Sequence, residues 1–345
     1  MEQELWQYLK ESEKPIVLYG MGNGADKIIN VLSQKGIEFK GVFASDGFVR
    51  NKTFHGFGIS SFNGLYEKFG DMIVLLCFGS ARPEVLENIR NISEKSELFA
   101  PDVPVIGGGI FDKAYAKNIS KDLEYVYNLL ADDLSRKTFE NTVKYKITGK
   151  LEYLYNCETQ EDEPYNNFLK LKDTESFLDL GAYNGDTVAD FIKRVPCYKK
   201  IIAVEPDSKT FRKLTANTEN LKNIRLENLG ISCFDGVGNF GMRGGRNSGA
   251  DEKGKEIVFS TVDSILNGEE ISFIKMDIEG EENNAIKGAK ETILKYKPKM
   301  LISCYHRNED LITLPKAVFE IRQDYKLYMR HFSSVPAWDT NFYFV

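Results

Sequence analysis

The strongest constraint on the fold is a local pattern that recurs along the second half of the chain. A short apolar run ends in a carboxylate, and a turn or a helix start follows. It occurs in FLDLGAYNGD (Phe177–Asp186), in KIIAVEPD (Lys200–Asp207) and in FIKMDIEGEE (Phe273–Glu282). Short apolar strands alternating with helical stretches describe a parallel sheet covered by helices. In an open sheet of that kind, ligands sit outside the carboxyl ends of the strands, where the strand order reverses. Acids placed there face a ligand rather than the core, which suits a nucleoside-like cofactor.

Each segment carries its own chemistry. Phe177, Leu178 and Leu180 form a strand that Asp179 interrupts, and Gly181 and Gly185 let the backbone turn tightly beside a ligand. A helix starts near Asp186 and Thr187. Ile201 to Val204 form the next strand and end in Glu205, placed to accept hydrogen bonds from both ribose hydroxyls. Pro206 stops that strand, and Asp207 or Ser208 caps the following helix. A pyrophosphate needs bare N–H groups and the positive end of a helix. Asp179 and Asp186 flank the glycines instead, and their charge suits a ligand carrying an ammonium and a sulfonium, as S-adenosylmethionine does. The plainer reading of Asp186 is stabilisation of a helix N-terminus.

DLGAYNGDT, AVEPD with FRKLTAN, FIKMDIEGEENNAIKGA and SCYHRNEDL, in that order, resemble the FkbM family of S-adenosylmethionine-dependent methyltransferases over roughly Ser176 to Val345. The first motif is shared by many class I methyltransferases, whereas DIEGEE followed by YHRNEDL is far more specific. The resemblance implies a class I methyltransferase fold closing with an antiparallel hairpin. It also implies methyl transfer to hydroxyl groups of sugars, polyketides or similar acceptors. The expected cofactor residues are Asp179, Gly181, Asn184, Gly185, Asp186, Glu205, Pro206 and Asp207. Asp277 ends its strand at the same edge, and His306 follows the neighbouring strand Met300 to Cys304. Both are the candidate catalytic residues, His306 as general base or acceptor-orienting group beside Asp277. A structural hydrogen bond is the alternative for His306, and an oxygen and nitrogen site formed with Asp277 and Glu279 is a third. No metal is assigned.

The first half repeats the α/β alternation, so two Rossmann-like, doubly wound sheets are expected. Residues 1–120 are assigned to the first domain, 121–165 to a helical connector and 166–345 to the methyltransferase domain. Strands are expected at Ile16–Tyr19, Phe39–Phe43, Met72–Cys77 and, last, Val103–Ile106. GMGNGADK followed by Asp46 is a loose dinucleotide fingerprint whose third glycine comes one residue early. It supports the alternative of an NAD(P)-linked oxidoreductase. The region also resembles the small domain that holds a nucleotide sugar ahead of some sugar acyltransferases. A role in positioning substrate or in dimer contacts stands beside that reading.

Other residues have narrower roles. Arg330 is expected to meet a substrate acid or Asp339, and His331 to lie in a strand. Gly236–Gly254 reads as a long loop and a substrate lid, with Arg243, Arg246, Asn247 and Ser248 as its polar contacts. The net charge of −6 argues against nucleic acid as a partner, and the five cysteines show no metal-ligand spacing. A polar amino terminus and the lack of a long apolar run predict a cytoplasmic enzyme with no membrane span. The expected partner is a small-molecule or glycan acceptor. A nucleotide sugar at the first domain and a homodimer remain open.

Overall fold

The second half builds a seven-stranded sheet, whose burial pattern shows why it forms, and a separate four-stranded sheet. A computed structural model describes residues 3–45, 53–241, 249–250 and 254–345. The first sheet contains β1 (Ile16–Tyr19), β2 (Gly41–Phe43), β3 (Thr53–Phe54), β4 (Phe57–Ser60), β5 (Ile73–Leu76) and β6 (Glu97–Phe99). The strands β7 (Ser176–Leu180), β8 (Lys200–Val204) and β9 (Ile224–Glu227) open the second sheet. After them come β10 (Gly230–Ile231), β11 (Gly236–Gly241), β12 (Gly249–Ala250) and β13 (Lys255–Ser260), which form the separate sheet in the order β10-β13-β11-β12. The chain then adds β14 (Phe273–Met276), β15 (Lys299–Ser303), β16 (Leu327–His331) and β17 (Thr340–Phe344).

The second sheet has the order β16-β17-β15-β14-β7-β8-β9. Its central pairings are parallel, and β17 runs antiparallel to both β15 and β16. The two-residue period of a strand separates its faces. Leu178, Leu180, Ile202, Ile274, Met276 and Ile302 enter one core, while Phe177, Ile201, Phe273 and Tyr343 enter the other. The order reverses between β7 and β14, so the crevice for a ligand lies above Leu180 and Met276.

The first sheet has the order β3-β4-β2-β1-β5-β6, parallel except for the pairing of β3 with β4. Val103–Ile106 is not a strand, and β6 ends the sheet instead. Pro104 removes one donor from that stretch, and Pro101 stands two residues before it. Its remaining backbone groups bond elsewhere: Lys27 donates to the Pro104 and Val105 carbonyls, and the Ile106 N–H donates to the His306 carbonyl. The first half therefore touches the second at the edge where the site lies. A second contact pairs Ser80 with Val335, and the Trp338 ring presses on Gly79, where a Cβ would come within 2.2 Å of it.

Helices Ser120–Leu129 and Asp133–Thr148 bury Val126 and Phe139 in the core of the second sheet, with Leu130 between the helices buried beside them. The acidic stretch before Pro164 is likewise anchored. Arg330, 1 % exposed, binds Asp132 and Glu163 and donates to Ser135. This replaces the expected pairing with Asp339 or a substrate acid. His331 is buried against Thr340, and burial lowers its pKa to about 4, so it is a neutral structural group. Within Gly236–Gly254, β11 pairs antiparallel with β13 and with β12, so the described parts are strands rather than a loop. Arg243, Arg246, Asn247 and Ser248 lie outside the described residues, as does Asp46. All five cysteines are free thiols, and among the described residues no helix is long and apolar enough to cross a membrane.

Replacing Arg330 by Ala leaves two carboxylates beside an apolar sheet edge. Asp132 and Glu163 partly reach solvent, at 35 and 18 % side-chain exposure. The loss therefore falls at the low end for a buried pair, roughly 2–3 kcal/mol. Equilibrium urea unfolding of the variant against the parent chain measures it.

Candidate active site

The two strand ends at the reversal point meet through a glycine. Gly181 follows β7 with φ +82°, and a Cβ on it would sit 1.9 Å from the Asp277 carbonyl oxygen after β14. Any side chain here would force the strands apart and close the crevice. The Gly181 and Ala182 N–H groups donate to the Val204 carbonyl, which ties the loop to the end of β8. Gly185, φ +91°, is the N-cap of the helix Asp186–Arg194.

Glu205 organises the other side of this loop. Its two oxygens accept the N–H groups of Tyr183 (3.0 Å) and Asp207 (2.8 Å). Tyr183 adopts φ +47°, a left-handed conformation that orients its N–H toward the carboxylate. Burial pushes the Glu205 pKa up to about 7, against the pull of those two N–H groups. Pro206 is half-buried and ends the strand, and Asp207 caps the helix Ser208–Thr218 by accepting from Lys209 and Thr210. Asn184 accepts the Asp186 N–H, and exposed Asp186 accepts the Thr187 N–H. The structure thus gathers Gly181, Asn184, Gly185, Asp186, Glu205, Pro206 and Asp207 along one loop pair.

Asp179 is placed differently. It is fully buried, and burial raises its pKa. Lys275 lies opposite in register and sets its ammonium 3.4 Å from Asp179 Oδ1 and 3.4 Å from the Gly181 carbonyl oxygen. The charge of Asp179 is therefore met by Lys275 and does not stand free at the ligand edge. Sequence reasoning missed Lys275. The signal was present: a lysine inside the apolar run FIKM needs a buried partner, and Asp179 is its register neighbour.

The third group surrounds His306, which is 1 % exposed. Its Nδ1 lies 3.0 Å from Glu282 Oε1, and its Nε2 lies 3.5 Å from both Asp277 Oδ1 and Glu279 Oε2. Burial works against a charged imidazole here. Glu282, Asp277 and Glu279 outweigh it and raise the pKa to about 10. Tyr305 donates to Asp277 (3.1 Å), and Asp310 accepts the Arg307 N–H (2.7 Å). The structure brings Asp277 and His306 together as the sequence implied. Glu282 and Asp310 were missed, because acids near helix starts read as capping groups. Beside Asp277 a cavity of roughly 160 Å³ opens, lined among others by Tyr165, Thr187, Lys275, Asp339 and Asn341.

This geometry agrees with what the chain is similar to. The crystal structure of Methyltransferase FkbM from Methylobacillus flagellatus KT superposes with a TM-score of 0.73 at 22 % identity, covering 96 % of this chain and 90 % of that one. The fold is that of a methyltransferase. Residues 179–328 match the family described as Methyltransferase FkbM domain. Two further structures align over half of the chain. Fibrillarin from Aeropyrum pernix with natively bound S-adenosyl-L-methionine gives a TM-score of 0.33 at 14 % identity, over 52 % of this chain and 70 % of that one. SMU.1697c from Streptococcus mutans in complex with SAH gives 0.36 at 13 %, over 54 and 99 %. Both are too distant to carry an argument. No curated protein matches the sequence.

Gly181→Ala places a methyl group against a backbone carbonyl at a left-handed position. The expected cost is roughly 3 kcal/mol or more, from backbone strain and overpacking together. Thermal unfolding of the variant tests it, and an unchanged midpoint contradicts the close approach of β7 and β14.

Proposed function

We propose that the chain transfers a methyl group from S-adenosylmethionine to a hydroxyl of a sugar or similar acceptor. The carrying observation is Glu205, a buried carboxylate at the end of β8 whose oxygens are oriented by two backbone N–H groups beside the Gly181–Gly185 turn. Such a carboxylate accepts hydrogen bonds from vicinal ribose hydroxyls. Gly181, Asn184 and Gly185 supply the backbone of the cradle, with Asp186, Pro206 and Asp207 along its rim. Asp179 acts through Lys275. The cofactor, when bound, supplies an electrophilic methyl on a sulfonium.

The chain's own task is to orient an acceptor hydroxyl and take its proton. Asp277 suits that role, because its side chain is 33 % exposed toward the crevice and is held by Tyr305. His306, held protonated among carboxylates, is a poor proton acceptor at neutral pH and serves to position Asp277. The adjacent cavity offers carboxylates, an amide and aromatic rings, the groups that bind sugar hydroxyls and ring faces. That lining supports a carbohydrate acceptor.

We infer that the first domain borders the site, because the Ile106 N–H donates to the His306 carbonyl. A Cβ on Gly20 would lie 2.5 Å from the Phe78 ring, and Trp338 covers Gly79. These rings occupy the reversal point of the first sheet, between β1 and β5, where a nucleotide would otherwise sit. We therefore assign that domain to acceptor positioning rather than to NAD or a nucleotide sugar.

Calorimetric titration with S-adenosylhomocysteine tests the reading. Micromolar binding, weakened roughly tenfold or more in Glu205→Gln, is expected, with no heat from NAD. Binding of NAD without the homocysteine product would overturn it. The same titration has a predicted pH dependence. Only the ionised carboxylate accepts both hydroxyls, and its pKa in the free protein is about 7. Affinity should be flat above about pH 8 and fall toward tenfold per unit below about pH 6. Glu205→Gln should flatten that profile.

A further inference from the structure

The His306 cluster contains buried polar atoms that no protein group satisfies. His306 Nε2 and Glu282 Oε2 lack a hydrogen-bond partner, although His306 is 1 % and Glu282 0 % exposed, while His306 Nδ1 faces Glu282 Oε1 at 3.0 Å. Orphaned atoms of this kind are rare inside proteins and call for an explanation. The neighbouring distances give one. Nε2 stands 3.5 Å from Asp277 Oδ1 and 3.5 Å from Glu279 Oε2. A charge-assisted N–H···O contact is shorter, roughly 2.7–2.9 Å. Ligands bound at roughly 2.0–2.3 Å to one cation stand about 3–3.7 Å apart at octahedral or tetrahedral angles.

Donor chemistry points the same way. One ligand atom each from Asp277, Glu282 and His306 lies within 4.8 Å of the others. Imidazole and carboxylates together are a set for a divalent ion such as manganese, magnesium or zinc. Arg307 does not supply the missing charge inside the cluster, since it donates to the Gly280 carbonyl and pairs with Glu281. The partly exposed side chains of Asp277 and Glu279 leave an entry from the crevice.

We propose that Asp277, Glu282 and His306, flanked by Glu279, form a divalent-cation site at the edge of the acceptor crevice. Its use in catalysis rests on the methyl-transfer reading: an ion bound to Asp277 is placed to polarise an acceptor hydroxyl. Its binding does not depend on that reading.

The test is titration of the EDTA-stripped full chain with Mn²⁺, followed by the loss of the free-ion paramagnetic resonance signal. One ion per chain in the micromolar range is expected, weakened at least tenfold in Glu282→Gln and in His306→Ala. Parallel titration with S-adenosylhomocysteine reports whether each variant is folded and tests the cofactor reading separately. No uptake by the parent chain at millimolar Mn²⁺ overturns the proposal, whatever the variants do. So does uptake that survives unchanged in both folded variants. If Mn²⁺ binds as predicted while the homocysteine does not, the cation site stands and the methyltransferase reading of the cofactor loop falls.

Discussion

A lysine ammonium between two parallel strand ends sets the electrostatics of this site. Lys275 stands on β14 and Asp179 opposite it on β7, at the point where the strand order reverses. Either charge alone would be costly in that interior. Lys275 also donates to the Gly181 carbonyl, so the pair is tied to the turn that shapes the crevice. Burial disfavours the charged lysine, and the carboxylates of Asp179, Asp277 and Asp186 together hold it charged. Most of the negative potential left at the edge therefore belongs to Glu205 on one side and to the Asp277 cluster on the other.

Those two sides have different chemistry, which is what a transferase needs. Glu205 is restrained by backbone N–H groups and works as an acceptor of hydrogen bonds. Asp277 is held by a tyrosine hydroxyl and a buried imidazole, with Glu282 behind. The first domain is joined to the second group, through Ile106 on the His306 carbonyl and through Trp338 on Gly79. The contact between domains thus lies on the Asp277 side of the crevice.

Much of this was legible in the sequence, for physical reasons. The parallel strands were readable because each is a short apolar run ending in an acid, and the closing hairpin because its residues alternate. Gly181, Glu205 and the Asp277–His306 pairing follow from strand-end position alone. What stayed hidden depends on partners distant along the chain. Asp179 looked like a ligand contact until register placed Lys275 across from it. Arg330 looked free for a substrate acid, but Asp132 and Glu163 come from a helix start and a polar stretch far upstream. Val103–Ile106 has the apolar content of a strand, yet Pro104 lacks a donor and Lys27 and His306 claim its other backbone groups.

The central claim is that the cofactor lies over the ends of β7 and β8 and not over the first sheet. Amide hydrogen exchange with and without saturating S-adenosylhomocysteine locates it directly. The account predicts slowed exchange at Gly181–Thr187 and Glu205–Thr210, with Gly20–Ala25 unchanged. Protection confined to Gly20–Ala25 and Cys77–Ser80 would contradict it.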